Sequence, residues 1–148
     1  MGIDIVKAET CKAPLAIAFE YVDDYRNVPQ WLFGIHEFTP VGPRDRGLDA
    51  VFDVSVHLGV HVKTRIKVTD YVEQRVIEFD SIKGFKVRSR WTFEAVDENT
   101  TMVTAEVTFN LPFGPAGKAM GKVMEPMVTK AVQHSSHELV RRVEALVP

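Results

Sequence analysis

The chain has 148 residues, of which 45% are apolar and 26% charged, with a net charge of −2. This profile suits one folded domain over residues 1–148 and gives no global field for nucleic acid or an anionic membrane. The lone Cys11 excludes an internal disulfide, and neither a secretion signal nor an apolar run near the roughly 20 residues of a membrane span is found, so a cytoplasmic protein without stable membrane insertion is expected.

Residues 3–8 alternate as a first strand. Pro14 suits the first turn of a helix, and Leu15, Ala18, Phe19 and Val22 give that helix one apolar face, which ends at Asp23 and Asp24. Tyr25 to Trp31 reads as a second short helix. Pro40, Gly42, Pro43 and Gly47 mark turns. VFDVSVHL then sets Phe52, Val54, Val56 and Leu58 on one face, and Gly59 suits a hairpin turn. VHVKTRIKVTDYV sets Val60, Val62, Thr64, Ile66 and Val68 against His61, Lys63, Arg65 and Lys67. RVIEFDS follows. In GFKVRSRWTFEAV, Phe85, Val87, Ser89, Trp91 and Phe93 oppose Lys86, Arg88 and Arg90. MVTAEVTFNL places Val103, Ala105, Val107, Phe109 and Leu111 together. A final helix of about 30 residues starts at Gly114-Pro115, with Met120, Met124, Met127, Val128, Ala131, Ser135, Leu139, Val143 and Leu146 at helical spacing. Pro126 is expected to kink or break it. The pattern is an antiparallel sheet with one charged face and one apolar face that the last helix can cover.

The segments APLAIAFEYVDDYRNVPQW and GPAGKAMGKVMEPMVTKAVQHSSHELVRRVEAL, with antiparallel strands between them, resemble the START-like or SRPBCC helix-grip superfamily. Within it the chain is most similar to the polyketide cyclase/dehydrase and lipid-transport group. The resemblance covers nearly the whole chain. It implies an α+β helix-grip fold: a curved antiparallel sheet of about six or seven strands wrapped around a long C-terminal helix, two short helices after the first strand, and a cavity for an apolar ligand between sheet and helix. It does not select the ligand, because one fold serves many functions.

On that basis the candidate ligand-binding wall is Phe52, Val54, Val56, Ile66, Val87, Ser89, Trp91, Phe93, Val107 and Phe109 on the sheet side, with Trp31 on the second short helix. Met120, Met124 and Met127 face it from the final helix, where flexible thioethers adapt to varied apolar shapes. The same apolar faces also describe a filled core with no cavity. Thr64, Asp70, Ser89, His134 and Ser135 are the polar minority that would orient a ligand or act as acid or base. For Asp70 the alternative is a strand-end turn residue, and for His134 a partly exposed surface histidine. The pairs His57/His61 and His134/His137 fall short of the three or four ligands zinc needs, so no metal is expected; no cofactor is expected either. Cys11 reads as a small buried residue. Lys63, Arg65, Lys67, Lys86, Arg88 and Arg90 read as a solvated sheet face with cross-strand ion pairs. Near the cavity mouth, Tyr25, Trp31, Phe33 and His36 read as a lid or, for Trp31, as a core anchor.

The expected partner is a small hydrophobic molecule such as a lipid, quinone, polyketide or aromatic metabolite. A cyclase, aromatase or dehydratase is the alternative, with its catalytic residues unknown, and an interaction module without a functional cavity is the third reading. Pairing of two copies through a sheet edge stays open.

Overall fold

In the computed structural model, which describes residues 2–111 and 114–148, the alternating segments form a seven-stranded sheet. Its strands are β1 (Gly2–Cys11), β2 (Ile35–Pro40), β3 (Val51–His57), β4 (His61–Val72), β5 (Val76–Gly84), β6 (Val87–Asp97) and β7 (Thr100–Asn110). Neighbours pair antiparallel in the order β1-β7-β6-β5-β4-β3-β2, so β1 and β2 are the edges. In β4, Val62, Thr64, Ile66 and Val68 are buried while His61 and Lys63 are exposed, as period-two alternation requires. β2 is the strand that alternation did not reveal: six residues ending in Pro40, too short for a pattern and tolerant of proline because it is an edge.

Three helices complete the chain among the described residues: α1 (Leu15–Asp23), α2 (Val28–Trp31) and α3 (Pro115–Glu144). The second helix expected over Tyr25 to Trp31 is split. Tyr25–Asn27 forms a 3₁₀ turn, in which the Val28 N–H donates to the Tyr25 carbonyl, and α2 follows. Pro29 explains the split, since it has no N–H to donate to Tyr25 in an α-helical pattern. By contrast α3 runs its 30 residues without the break expected at Pro126. Pro126 and Lys122 are both exposed, so water can satisfy the carbonyl that the proline leaves unbonded.

How α3 sits decides whether a cavity exists. The helix approaches the sheet most closely along β1. Gly117 and Gly121 are buried there, and a Cβ on Gly121 would lie 2.8 Å from Leu111 Cδ1. This tight seat at one edge leaves the helix standing off from the central strands. Leu139 and Val143 pack the far end of α3, each 1% exposed. On the opposite, outer face of the sheet, Arg65 pairs with Asp53 at 2.8 Å, Lys67 with Asp49 at 3.3 Å, and Arg90 with both Asp70 and Glu78. The basic stripe is thus largely answered by acids across the strands. Such exposed pairs contribute about 0–1 kcal/mol each.

Cys11 is 1% exposed, and burial, with Glu144 and Glu9 nearby, pushes its thiol up to about 11. The thiolate is the reactive form. The native protein should therefore resist Ellman's reagent at pH 8 and titrate one thiol only in denaturant. Rapid colour from the folded protein would contradict this.

Candidate functional site

Between the sheet and α3 lies a cavity of about 180 Å³. Trp31, Leu32 and Phe33 close it on the α2 side, Met124, Val128, Ala131, Val132 and Ser135 line it from α3, and residues of β2 to β7 form its floor. Trp31 is 5% exposed and meets Trp91 edge to face at 5.1 Å, so it anchors α2 to the sheet while forming part of the wall. The loop after α2 is tied down twice. The Phe33 N–H donates to Ser135 Oγ at 2.9 Å, and the His57 N–H donates to the Gly34 carbonyl at 2.9 Å.

Three polar side chains reach the wall among the described residues. Thr64 Oγ1 donates to the Phe85 carbonyl at 2.8 Å. Ser89 Oγ accepts from Trp91 Nε1 at 2.8 Å, and Ser135 Oγ accepts from Phe33. The two serine hydroxyls each keep a proton to donate. The lining residues include no Asp, Glu, His, Lys, Arg, Cys or Tyr.

Of the site residues expected from the sequence, Trp31, Phe33, Val54, Val56, Thr64, Ile66, Val87, Ser89, Trp91, Val107, Phe109, Met124 and Ser135 line this cavity. The others lie elsewhere. Phe52 sits behind Phe38, whose ring is 4.8 Å away, and faces a separate smaller void. Phe93 packs beneath α1 against Phe19 at 5.3 Å. Met120 lies toward the start of α3, where the helix is seated too close to β1 to leave space. Met127 flanks the Gly59 turn. Asp70 points outward to Arg90 at 3.1 Å. The cause is a bulge between Val68 and Asp70, which breaks the alternation, so Asp70 joins the outer face and Tyr71 turns inward. His134 is exposed, its ring against Phe33 at 5.1 Å, because it falls beside the buried stripe of α3. Phe38 and Phe79 line the cavity and were overlooked. Phe38 belongs to the unanticipated β2, whereas Phe79 was readable from the alternation of RVIEFDS.

Residues 3–144 match the family model described as polyketide cyclase / dehydrase and lipid transport. The chain belongs to that family. Its fold is the helix-grip fold, a curved antiparallel sheet around a long C-terminal helix. TTHA0849 from Thermus thermophilus superposes with a TM-score of 0.83 at 17% identity, over 99% of this chain and 100% of that one. A START superfamily protein from Mycobacterium smegmatis gives 0.78 at 18% identity, over 97% and 99% of the two chains. The Zhui aromatase/cyclase from Streptomyces sp. R1128 gives 0.75 at 14% identity, over 100% and 97%. Identities this low carry the fold and not the ligand. No curated protein matches the chain. Among the described residues no helix is long and apolar enough to cross a membrane, and no three His, Cys, Asp or Glu side chains gather as metal ligands.

Outside this cavity, a buried ion-paired carboxylate lies at the end of α1. The Asp23 side chain is 6% exposed, accepts from Tyr71 Oη at 2.8 Å and lies 3.5 Å from Arg46 Nε. Burial raises its pKa above the ordinary 3.8, with Tyr71 and Arg46 pulling in the opposite direction. The folded state therefore holds this proton to higher pH than the unfolded chain does. Folding stability from this group is highest below about 3.8 and declines as pH rises through the raised value. Asp23→Asn should flatten that part of a urea-midpoint profile. An unchanged slope would mean another group titrates there.

Proposed function

We propose that this protein binds and carries a small, neutral, largely apolar molecule in the cavity between the sheet and α3. The observation that carries the reading is the wall itself: about 180 Å³ of space lined by aromatic and aliphatic side chains, with three hydroxyls, the unpartnered indole N–H of Trp31 and no titratable side chain among the described residues. A molecule presenting roughly 200–250 Å² of apolar surface gains about 5–6 kcal/mol by leaving water. That is enough for a dissociation constant near 0.1 mM before specific contacts are added. Ser89 and Ser135 can each donate to one ligand oxygen, which fixes orientation without demanding charge.

The cyclase or dehydratase reading ranks below this one. Such chemistry moves protons, and a general acid or base must stand within hydrogen-bond reach of the reacting atom. Asp70 and His134, the side chains considered for that role, are both away from the cavity.

Both tryptophans of the chain, Trp31 and Trp91, are in the wall, so intrinsic fluorescence reports occupancy directly. Titration with neutral aromatic probes should shift or quench the emission saturably. Native mass spectrometry of protein purified from its own host should show a stoichiometric apolar adduct. A bare mass together with emission that no neutral probe changes would reject the carrier reading.

A further inference from the structure

A second, smaller void of about 20 Å³ lies beyond the cavity. Val22, Val28, Phe38 and Phe79 line both spaces, so the partition between them is one residue thick. Phe38 meets Phe79 edge to face at 6.2 Å. Phe52 packs on both rings, at 4.8 Å from Phe38 and 6.3 Å from Phe79, so opening the partition is a shift within a cluster of three aromatic rings that borders space on both sides. The two spaces differ in chemistry. Among the described residues no titratable side chain lines the main cavity, whereas Asp23, Tyr25, Asp45 and Arg46 line the smaller one.

We propose that the smaller void is a binding subsite for the hydroxyl group of an alcohol or phenol whose apolar body fills the main cavity, reached when Phe38 or Phe79 swings aside. The inference rests on the main cavity being the ligand site. Size supports it, since a void of about 10–15 Å³ holds one water, and a single hydroxyl has the same demand. Bonding capacity supports it as well. Tyr71 and Arg46 both approach Oδ2 of Asp23, which leaves Oδ1 as an acceptor for the hydroxyl proton. Arg46 supplies donors for the hydroxyl oxygen. Asp23 and Asp45, with Glu20 at 3.2 Å from Arg46, leave the surroundings acid-rich, which selects against a carboxylate head group.

The test uses methyl NMR of the whole protein with toluene, pentylbenzene, 4-phenylbutan-1-ol and 5-phenylpentanoate. An apolar cavity of about 150 Å³ accommodates benzene, so toluene fits the main space while the longer probes extend past it. Val107 and Val132 line only the main cavity, and Val68 and Ile77 line only the smaller void. Toluene should shift Val107 and Val132 alone. The alcohol should shift all four and bind more tightly than the carboxylate. In Arg46→Met, a change at a side chain 42% exposed, the affinity ratio of alcohol to pentylbenzene should fall roughly tenfold, as expected for loss of a hydrogen bond to a charged group. If toluene leaves Val107 and Val132 unmoved, the ligand cavity itself is wrong and this inference goes with it. If toluene shifts them but the alcohol leaves Val68 and Ile77 silent, the subsite is wrong while the cavity stands. An unchanged ratio in Arg46→Met, or a preference for the carboxylate, overturns the hydroxyl chemistry. The wild-type shifts decide the location without any variant.

Discussion

Val107→Trp is expected to weaken binding of neutral apolar probes by about 100-fold while the protein stays folded. Val107 sits on β7 opposite Ser89 of β6, with its side chain in the cavity wall. An indole there occupies space that a ligand needs. In a close-packed core the same change would cost about 1–3 kcal/mol through overpacking. Here the indole projects into the cavity of about 180 Å³ rather than into packed side chains, which removes most of that cost. The thermal midpoint should hold. Isothermal titration with toluene, beside a melting curve, checks both halves. Unchanged affinity would place the ligand elsewhere, and loss of cooperative unfolding would show that the space is not available to a side chain.

Gly34→Ala should lower stability by about 2–4 kcal/mol, the largest effect expected from adding a single methyl group. Gly34 adopts φ of 78°, a conformation that side chains disfavour, and an added Cβ would stand 2.5 Å from the His57 carbonyl oxygen. Relief requires the loop after α2 to move away from the end of β3, which breaks the bond from the His57 N–H to the Gly34 carbonyl. Because Leu32, Phe33 and Leu58 line the cavity on either side of this contact, toluene affinity should fall along with the urea midpoint. A stability within about 0.5 kcal/mol of wild type, the spread of a neutral surface change, would show that the loop yields without strain.

Much of the fold was legible because both of its periods are long and regular. Twelve residues of β4 alternate almost to their end, and α3 carries its apolar stripe from Met124 to Val143. Where the pattern misled, one local event was responsible each time. The bulge after Val68 turned Asp70 outward and Tyr71 inward, and alternation carries no sign of an inserted residue. Phe93 belongs to the same alternating face as Trp91, yet α1 covers it, so equal periodicity led to a core position in one case and a cavity wall in the other. Met120 and Met127 share the stripe of α3 with Met124. Only Met124 lies where the helix stands off the sheet.

The sequence by itself determined the antiparallel sheet, its apolar and charged faces, the long covering helix and the family resemblance. These follow from side-chain direction, which repeats every two residues in a strand and every 3.6 in a helix. The tertiary structure decided whether the covered face encloses space. That depends on the distance between layers, set here by Gly121 at one edge of the sheet and by Trp31 against Trp91 near the other end of the cavity. It also decided which polar groups meet. Asp23, Tyr71 and Arg46 come from three distant segments, and no spacing along the chain announces their contact.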